Sequence, residues 1–330
     1  MSEMSSTSQE AEEWLHCLSG FSDLEHIHLN EPLSRYTTLR VGGPCDLFYS
    51  AHNTRLFAEL AILVQKCKIP HFILGDGSNI CVSDRGIRAF VIRNKCRDLQ
   101  VGELTRVATG YPMMDLFLRT AQAGLSGLEF AVGIPGSVGG ALVSNAGAYR
   151  YNICELVETI EVVEDAELKE VGPEWMGFAY RDSRLRHHGA PPATLISTTL
   201  RLKPDDRTAI FRRARDLQNQ RISKQPWYAS AGSFFKNVYN VELAQRLEGL
   251  PGAMREAGVV PAGYLLSACG CKGMRQGGAV VSSRHANFII NRGGATADDI
   301  RNLAETVKDR VWRQYNVRLE EEVIYVGDWD

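Results

Sequence analysis

The feature that most limits what this chain can fold into is a glycine-rich segment at residues 133–149, GIPGSVGGALVSNAGAY. Its glycines stand at positions 133, 136, 139, 140 and 147. Glycine is favoured where backbone takes a positive φ or must approach a ligand closely, and exposed amide groups in such loops bind phosphate oxygens. The segment therefore predicts a backbone cradle for a diphosphate-bearing cofactor, with simple glycine-rich turns as the alternative.

A second glycine cluster, GDGSN at residues 75–79, follows the strand-like run HFIL and offers Ser78 and Asn79 as hydrogen-bond donors. A Rossmann fingerprint would need a third glycine where Ile80 stands and a helix next, but strand-like residues follow. The chain also lacks GxxxxGK[ST], which excludes a P-loop. Two simple glycine-rich loops remain, and together they are able to hold both halves of a dinucleotide.

Composition narrows the classes of partner. The net charge of −2 and the pI of about 6.5 give no global positive field for nucleic acid or an anionic membrane. The polar, acidic N-terminus lacks a signal-peptide pattern, and no apolar run is long enough to span a bilayer. The eight cysteines lack CxxC spacing, so we predict reduced thiols, no metal site and a cytoplasmic protein that is monomeric by default.

Residue patterns along the chain predict an α+β protein. Helices are expected from near Asn53 to Pro70, from Pro112 as first helical residue to Gly124, from Asp205 to about Lys224, and after a capping pair of Thr296 and Asp299. The run VRLEEEVIYVG predicts a final strand that includes Glu322. Residues 1–34 carry one short amphipathic helix pattern, and we expect a loosely held extension there.

Three polar residues outside the glycine loops are candidates for chemistry, each with an ordinary alternative. Arg181, in FAYRDSRLR, is able to grip a carboxylate or phosphate, or to form a surface ion pair. Ser233, in AGSFFKN, is a proton donor or a turn serine, and without GxSxG it is not a hydrolase nucleophile. Glu322 is an inward-facing carboxyl whose pKa burial would raise, or an exposed edge residue. His285 is interpreted as structural.

Eight motifs occur in collinear order from Tyr36 to Gly327: TTLRVGG, GDGSNI, SGLEFAVGIPGSVGG, NAGAY, YRDS, AGSFFKN, GGAVVSSRHANFIIN and LEEEV. In this order they resemble the UDP-N-acetylenolpyruvoylglucosamine reductase (MurB) family. The resemblance implies a two-lobed FAD-binding domain of the vanillyl-alcohol-oxidase (PCMH) type, followed by a smaller α+β substrate-binding domain. The implied divisions are an extension at 1–34, an FAD-binding domain at 35–222 with lobes at about 35–99 and 100–222, and a substrate-binding domain at 223–330.

The resemblance also assigns roles to residues. Arg181, Ser233 and Glu322 match the family's catalytic positions, and Tyr180, Lys224 and Asn237 match positions that contact substrate. The positions implied to hold FAD are Gly75, Asp76, Gly77, Ser78, Asn79, Ile80, Gly133, Ile134, Pro135, Gly136, Ser137, Gly139, Gly140, Asn145, Gly147, Ala148 and Arg221. The sequence departs from the family's usual residues in several places: Asp76 replaces a small residue, Arg150 a glycine and Val238 a proline, and GYLLSACGCKG lacks the usual acidic residue near Ser267.

The implied reaction has two halves. NADPH reduces a non-covalent FAD, and the flavin then passes hydride to the enolpyruvyl group of UDP-N-acetylglucosamine enolpyruvate, which gives UDP-N-acetylmuramate for peptidoglycan. Arg181 would hold the substrate carboxylate, Ser233 would donate a proton, and Glu322 would stabilise the enol. One rival is an oxidase with FAD attached covalently through histidine or cysteine; the absence of histidine from 75–80 and 133–149 disfavours attachment through histidine. The other is an idle FAD-binding or UDP-sugar-binding protein, which the presence of all three catalytic positions disfavours.

Overall fold

The computed structural model describes residues 3–187, 192–223 and 225–329. The chain divides into two compact units, the first formed by Met1–Pro32, Pro44–Asp76 and Ile87–Ser223 and the second by Leu33–Gly43, Gly77–Gly86 and Lys224–Asp330. Within the described residues the helices are α1 Glu3–Cys17, α2 Thr54–Lys66, α3 Met113–Gln122, α4 Val138–Val143, α5 Arg207–Ile222, α6 Val241–Arg246, α7 Gly252–Glu256, α8 Ala262–Ala268 and α9 Ala297–Tyr315. The strands are β1 His28–Pro32, β2 Pro44–Ala51, β3 His71–Leu74, β4 Ile80–Val82, β5 Ile87–Asn94, β6 Leu99–Gln100, β7 Leu104–Ala108, β8 Leu125–Ser126, β9 Gly147–Ala148, β10 Tyr151–Asn152, β11 Val157–Glu164, β12 Glu167–Val171, β13 Ala193–Arg201, β14 Lys203–Pro204, β15 Ala229–Ser230, β16 Val238–Tyr239, β17 Val259–Val260, β18 Arg275–Gln276, β19 Ala279–Val281, β20 Ile289–Asn291 and β21 Ile324–Val326.

The first unit begins with a four-stranded sheet in the order β1-β2-β5-β3. Strands β2, β5 and β3 run parallel, and β1 pairs with β2 in the antiparallel sense. Helix α2 buries Phe57, Leu60, Ala61 and Val64 at helical spacing, and each large apolar side chain so buried contributes about 1.5–3 kcal/mol. The Asn53 side chain caps this helix by accepting a hydrogen bond from the Leu56 N–H at 3.1 Å.

A five-stranded antiparallel sheet, β12-β11-β13-β7-β6, completes the framework of the first unit. Its apolar core includes Ile160 and Val162 of β11, Leu116 and Phe117 of α3, and Val138 of α4. Because this core holds both α3 and the start of α4, it fixes the glycine-rich segment that leads into α4.

The second unit is built on the sheet β15-β20-β19-β18 and on helix α9. The buried face of α9 consists of Ala297, Ile300, Leu303, Ala304, Val307 and Val311. Phe234 and Phe235 are fully buried in the same core cluster. Strand β21 pairs in parallel with β4, so the end of the chain joins the segment that starts at Gly77.

Several local predictions are confirmed. Asn53 precedes α2, and Thr296 and Asp299 form the expected capping box at the start of α9. Pro112 is the N-cap of α3 rather than its first helical residue, and Gly124 follows the helix with φ of +73°. The arginine-rich helix α5 begins one residue after its cap, Asp206.

Two expectations about the chain ends are wrong. The N-terminal segment is not loosely held, because Leu18 and Phe21 are buried in one apolar cluster with Leu60 of α2. Glu322 does not lie in a strand, because β21 starts only at Ile324 and Glu322 occupies a bend before it. Packing of apolar side chains held the first segment in place, and short-range alternation overstated the length of the last strand.

Candidate functional site

The residues selected from the sequence are distributed over both units. The first unit holds Arg181, Tyr180, Gly75, Asp76, Gly133, Ile134, Pro135, Gly136, Ser137, Gly139, Gly140, Asn145, Gly147, Ala148 and Arg221. The second unit holds Ser233, Glu322, Asn237, Gly77, Ser78, Asn79 and Ile80. The remaining selected residue, Lys224, lies outside the described residues.

The glycine-rich segment uses its glycines for conformation and for close packing. Gly133 and Gly136 take φ of +74° and +126°, which side chains disfavour. A Cβ on Gly139 would lie 3.1 Å from the backbone oxygen of Thr109, and the Gly139 N–H donates to that oxygen at 2.7 Å. Ser137 caps α4 by accepting a hydrogen bond from the Gly140 N–H at 3.3 Å. The segment is therefore a rigid turn fastened to the strand end at Thr109.

The amide groups of this segment differ in what they contact. Those of Gly139 and Gly140 donate within the protein. In the part of the chain that the structure describes, the N–H groups of Gly136 and Ser137 donate to no protein acceptor. Both amides are available for a phosphate oxygen.

Gly75, the first glycine of the second cluster, lies against the glycine-rich segment within the first unit. A Cβ on Gly75 would lie 2.6 Å from the Ser137 Oγ, so only glycine fits at position 75 without displacing the cap of α4. Asp76, where the family usually has a small residue, forms an ion pair with Lys95 at 3.0 Å. The pairing neutralises a carboxylate that would otherwise repel an anionic ligand at this turn.

Arg181 lies against the end of the glycine-rich segment. Its guanidinium donates to the carbonyl oxygen of Asn145 at 3.3 Å and to that of Gly147. It also lies over the Tyr180 ring, 5.4 Å from the centroid. The backbone of Arg181 takes φ of +53°, a costly conformation for a non-glycine residue and one that is concentrated at functional sites. The structure thus brings one predicted catalytic residue beside two predicted cofactor residues.

Arg221 supplies a half-buried positive charge next to Gly133. A Cβ on Gly133 would lie 3.2 Å from the Arg221 Cδ, and the guanidinium donates to the Val132 carbonyl oxygen at 3.5 Å. Burial lowers the pKa of Arg221; Tyr149 opposes this shift, and the nearby charge of Arg181 adds to it. Among the described residues no carboxylate forms an ion pair with Arg221. A half-buried guanidinium without a carboxylate partner fits a site for an anionic group such as a diphosphate.

In the second unit, the fold places the segment that carries Ser233 next to the segment that carries Glu322. Ser233 is half-buried between Gly232, which has φ of +78°, and the buried Phe234. The Glu322 N–H donates to the Phe234 carbonyl oxygen at 2.8 Å, and Phe235 forms a β-bridge with Glu321. The backbone that carries Ser233 is therefore bonded directly to the backbone that carries Glu322.

Asn79 and Asn237 already have partners within the second unit. The Asn79 side chain donates to the Glu322 carbonyl oxygen at 3.0 Å, and the Asn79 carbonyl oxygen accepts from the Ile324 N–H at 3.0 Å. The Asn237 side-chain oxygen accepts from the Ala262 N–H at 3.3 Å, at the start of α8. Asn237 is exposed, and its side-chain oxygen supports the start of α8.

Sequence reasoning missed two buried polar residues that hold the site. Asn287, only 4% exposed, accepts from the Phe235 N–H at 2.9 Å and donates to the Phe235 carbonyl oxygen at 2.8 Å through its side chain. Thr109, 1% exposed, holds Gly139 and donates to the Leu195 carbonyl oxygen at 2.6 Å. The only signal for Asn287 was a polar residue inside the apolar run ANFII, and for Thr109 a threonine between Ala108 and Gly110.

The described residues contain no group of three or more His, Cys, Asp or Glu side chains placed to hold a metal ion. None of their helices is both long and apolar enough to cross a membrane.

Comparison with known proteins covers most of the chain. Residues 223–326 match the model of the UDP-N-acetylenolpyruvoylglucosamine reductase C-terminal domain, and residues 47–168 match an FAD binding domain. The UDP-N-acetylenolpyruvoylglucosamine reductase of Clostridium botulinum strain Okra is 36% identical over 307 residues, which cover 92% of this chain and 93% of the relative. UDP-N-acetylenolpyruvoylglucosamine reductase 2 of Symbiobacterium thermophilum is 38% identical over 306 residues, or 91% and 92% of the two chains.

A solved structure agrees with these relatives. The crystal structure of UDP-N-acetylenolpyruvylglucosamine reductase (MurB) from Thermus caldophilus superposes with a TM-score of 0.71 at 32% identity, covering 91% of this chain and 97% of that one. Together the matches confirm the predicted α+β class, the FAD cofactor and the flavin-dependent reductase activity. The chain belongs to the UDP-N-acetylenolpyruvoylglucosamine reductase (MurB) family.

Proposed function

We propose that this chain reduces the enolpyruvyl group of UDP-N-acetylglucosamine enolpyruvate to UDP-N-acetylmuramate, with NADPH as the electron donor, and that Arg181, Ser233 and Glu322 carry the reaction. The observation that carries the proposal is the position of Arg181, whose guanidinium is bonded to the carbonyl oxygens of Asn145 and Gly147 in the glycine-rich segment. Arg181, which we propose holds the substrate carboxylate, is therefore fixed beside residues that we propose hold FAD.

The residues of the first unit fit FAD. The amides of Gly136 and Ser137 and the guanidinium of Arg221 offer donors for its diphosphate, and the lack of a side chain at Gly75 leaves the turn close to Ser137. When bound, FAD supplies hydride transfer from NADPH to the methylene carbon of the substrate. The protein itself has to supply orientation, charge stabilisation and a proton.

Arg181 orients the substrate and stabilises charge. Hydride addition places negative charge on the carbon next to the substrate carboxylate, as in an enolate, and a fixed guanidinium at that carboxylate lowers the energy of this charge. Two backbone carbonyl oxygens and the Tyr180 ring fix the orientation of the Arg181 guanidinium. The side chain therefore needs little rearrangement during the reaction.

Ser233 supplies the proton, and Glu322 supports it. The hydroxyl stands on a turn anchored by two buried phenylalanines and by Asn287, which limits its motion. Glu322 is bonded through its N–H to the same turn, and its carboxyl group stabilises the enol form of the intermediate. After the proton has moved to the substrate carbon, a bound water or the solvent restores the hydroxyl.

The remaining assignments complete the proposal. Tyr180, Lys224 and Asn237 contact the substrate, whose nucleotide and sugar bind to residues 223–330. The FAD-binding domain comprises residues 35–222, with lobes at about 35–99 and 100–222, and residues 1–34 form an N-terminal extension that packs against α2 through Leu18 and Phe21. Matches at 47–168 and 223–326 support this division. The eight cysteines are free thiols, which supports a location in the reducing cytoplasm. We propose a monomer as the active form.

The test is a measurement of both half-reactions on the purified protein. We expect a yellow, dialysable FAD that NADPH bleaches, and that the enolpyruvyl nucleotide sugar re-oxidises. Reduction of FAD without re-oxidation by this substrate would refute the reductase assignment and would leave an idle flavin-binding protein. A flavin that stays attached after denaturation would indicate the covalent oxidase class.

A further inference from the structure

Two cysteines meet at the ends of two helices in the first unit. Cys17 is the last residue of α1 and Cys67 is the C-cap of α2, 50 positions further along the chain. The Cys67 Sγ lies 3.7 Å from the Cys17 carbonyl oxygen. The two cysteines are therefore in direct contact.

The fold holds this pair in place. Ala11 and Leu18 of the N-terminal segment are buried in one cluster with Leu60 and Val64 of α2. The Cys67 N–H donates to the Leu63 carbonyl oxygen at 2.9 Å, which fixes the end of α2. The neighbouring thiols thus follow from packed apolar faces on both helices.

The two thiols differ in access from most of the other cysteines. Cys17 is exposed and Cys67 is half-buried. Burial raises the pKa of Cys67, and the Cys17 thiol adds to the effect. Burial also raises the pKa of Cys45 and Cys81 to about 12, so those thiols are protonated as well as inaccessible. Attack by an oxidant is therefore directed to Cys17, with Cys67 placed to respond.

We propose that Cys17 and Cys67 form a site of reversible disulfide formation that ties α1 to α2, with hydrogen peroxide as the oxidant. The Cys17 sulfur attacks peroxide, the O–O bond breaks, and a sulfenic acid and one water form. The Cys67 sulfur then attacks the Cys17 sulfur, the S–O bond breaks, and the disulfide and a second water form. Two thiols are oxidised and one peroxide is reduced to two waters, and a dithiol reductant reverses the change.

The disulfide has a mechanical consequence. It closes a loop of the chain between α1 and α2, which restricts the unfolded state and keeps the N-terminal helix attached to the first unit. This site is separate from the proposed catalytic residues, so its test does not depend on the reductase reaction.

The experiment treats the full-length reduced protein with hydrogen peroxide, alkylates it with iodoacetamide and maps the cysteines by mass spectrometry. We expect the protein to lose two hydrogens, a Cys17–Cys67 cross-linked peptide to appear, and alkylation of both residues to fall about tenfold or more. Dithiothreitol should restore both thiols. Cys17→Ser and Cys67→Ser should abolish the cross-link, and Cys269→Ser, the matched control at another half-buried thiol, should retain it.

Three results would overturn the proposal. They are unchanged alkylation of both residues, conversion of Cys17 to sulfinic acid with Cys67 still alkylated, and a cross-link that joins Cys17 to any other cysteine. A thermal melt provides a readout that needs no variant, because oxidised protein should melt at a higher temperature than reduced protein. Equal melting temperatures for cross-linked and reduced protein would contradict the claim that the disulfide secures α1.

Discussion

The backbone N–H of Glu322 donates a 2.8 Å hydrogen bond to the carbonyl oxygen of Phe234, the residue that follows Ser233. From the other side, the Asn287 carbonyl oxygen accepts from the Phe234 N–H at 2.7 Å, and the Asn287 side chain makes two bonds to the Phe235 backbone. The turn that carries the proposed proton donor is thus held between two segments distant in sequence.

Replacement of Asn287 by alanine should slow the second half-reaction by about 10- to 100-fold, because misplacement of a catalytic group by about 1 Å costs this much. Reduction of FAD by NADPH should change little. Stopped-flow measurement of flavin re-oxidation by the enolpyruvyl substrate tests this expectation, and equal slowing of both half-reactions would point to general damage instead.

Asn291→Ala is the matched control for that variant. Asn291 also bonds to backbone through its side chain, donating to the Leu39 carbonyl oxygen at 3.0 Å and accepting from the Gly293 N–H at 2.8 Å. Each variant should lose about 1–3 kcal/mol of unfolding free energy, since each leaves backbone groups without partners. Only Asn287→Ala should alter re-oxidation selectively.

Ser233→Ala should leave FAD reduction by NADPH nearly intact and should slow turnover of the enolpyruvyl substrate by at least about 10²-fold, the scale of a lost general acid. Ser230→Ala, three residues earlier in β15, serves as the control and should react normally. Unchanged turnover by Ser233→Ala removes this residue from the mechanism.

The buried carboxyl of Glu129 should make stability depend on pH. Burial alone would raise the pKa of Glu129, but hydrogen bonds from Arg213, the Gly127 N–H and Ser126 outweigh burial and hold it below its ordinary value. The pKa of Glu129 is lower in the folded state than in the unfolded state, where it is near 4.5. The interactions of Glu129 therefore stabilise the folded protein above the unfolded pKa, and this stabilisation is lost as the pH falls through the lower folded pKa.

Glu129→Gln should therefore cost about 2–3 kcal/mol of unfolding free energy at pH 7, since it leaves Arg213 without its buried partner. The difference from the natural protein should shrink below pH 4. Denaturant titrations at several pH values measure it, and Glu158→Gln, at an exposed pair with Arg201, should show little effect at any pH. A difference that stays constant with pH contradicts the assigned ion pair.

Arg150→Gly should stabilise the protein by about 0.5–1 kcal/mol. Arg150 takes φ of +71°, and this left-handed conformation costs a non-glycine residue about 1–2 kcal/mol. Glycine removes that cost, but part of the gain is lost because glycine has more conformational entropy in the unfolded chain. Arg150→Ala keeps the strained backbone and should not stabilise. Chemical denaturation of the three proteins distinguishes backbone relief from loss of the arginine side chain.

Features set by neighbours in sequence were predictable from the chain alone. Asn53 and the pair of Thr296 and Asp299 cap helices because a short polar side chain reaches N–H groups two or three residues ahead. Gly133 and Gly136 marked a turn because positive φ is a local backbone requirement. Collinear motifs then predicted the family, which the relatives confirm, and proposed the roles of Arg181, Ser233 and Glu322.

What only the tertiary structure decided depends on contacts between distant residues. The buried Asn287 looked like any polar residue beside a strand until its bonds to Phe235, 52 positions earlier, were seen. The meeting of Cys17 with Cys67 and the burial of Leu18 required the packing of α1, which no local pattern encodes. The sequence alone determined where the backbone turns and which helices are capped. Long-range packing and hydrogen bonding decided which amides remain available to a ligand and which side chains meet.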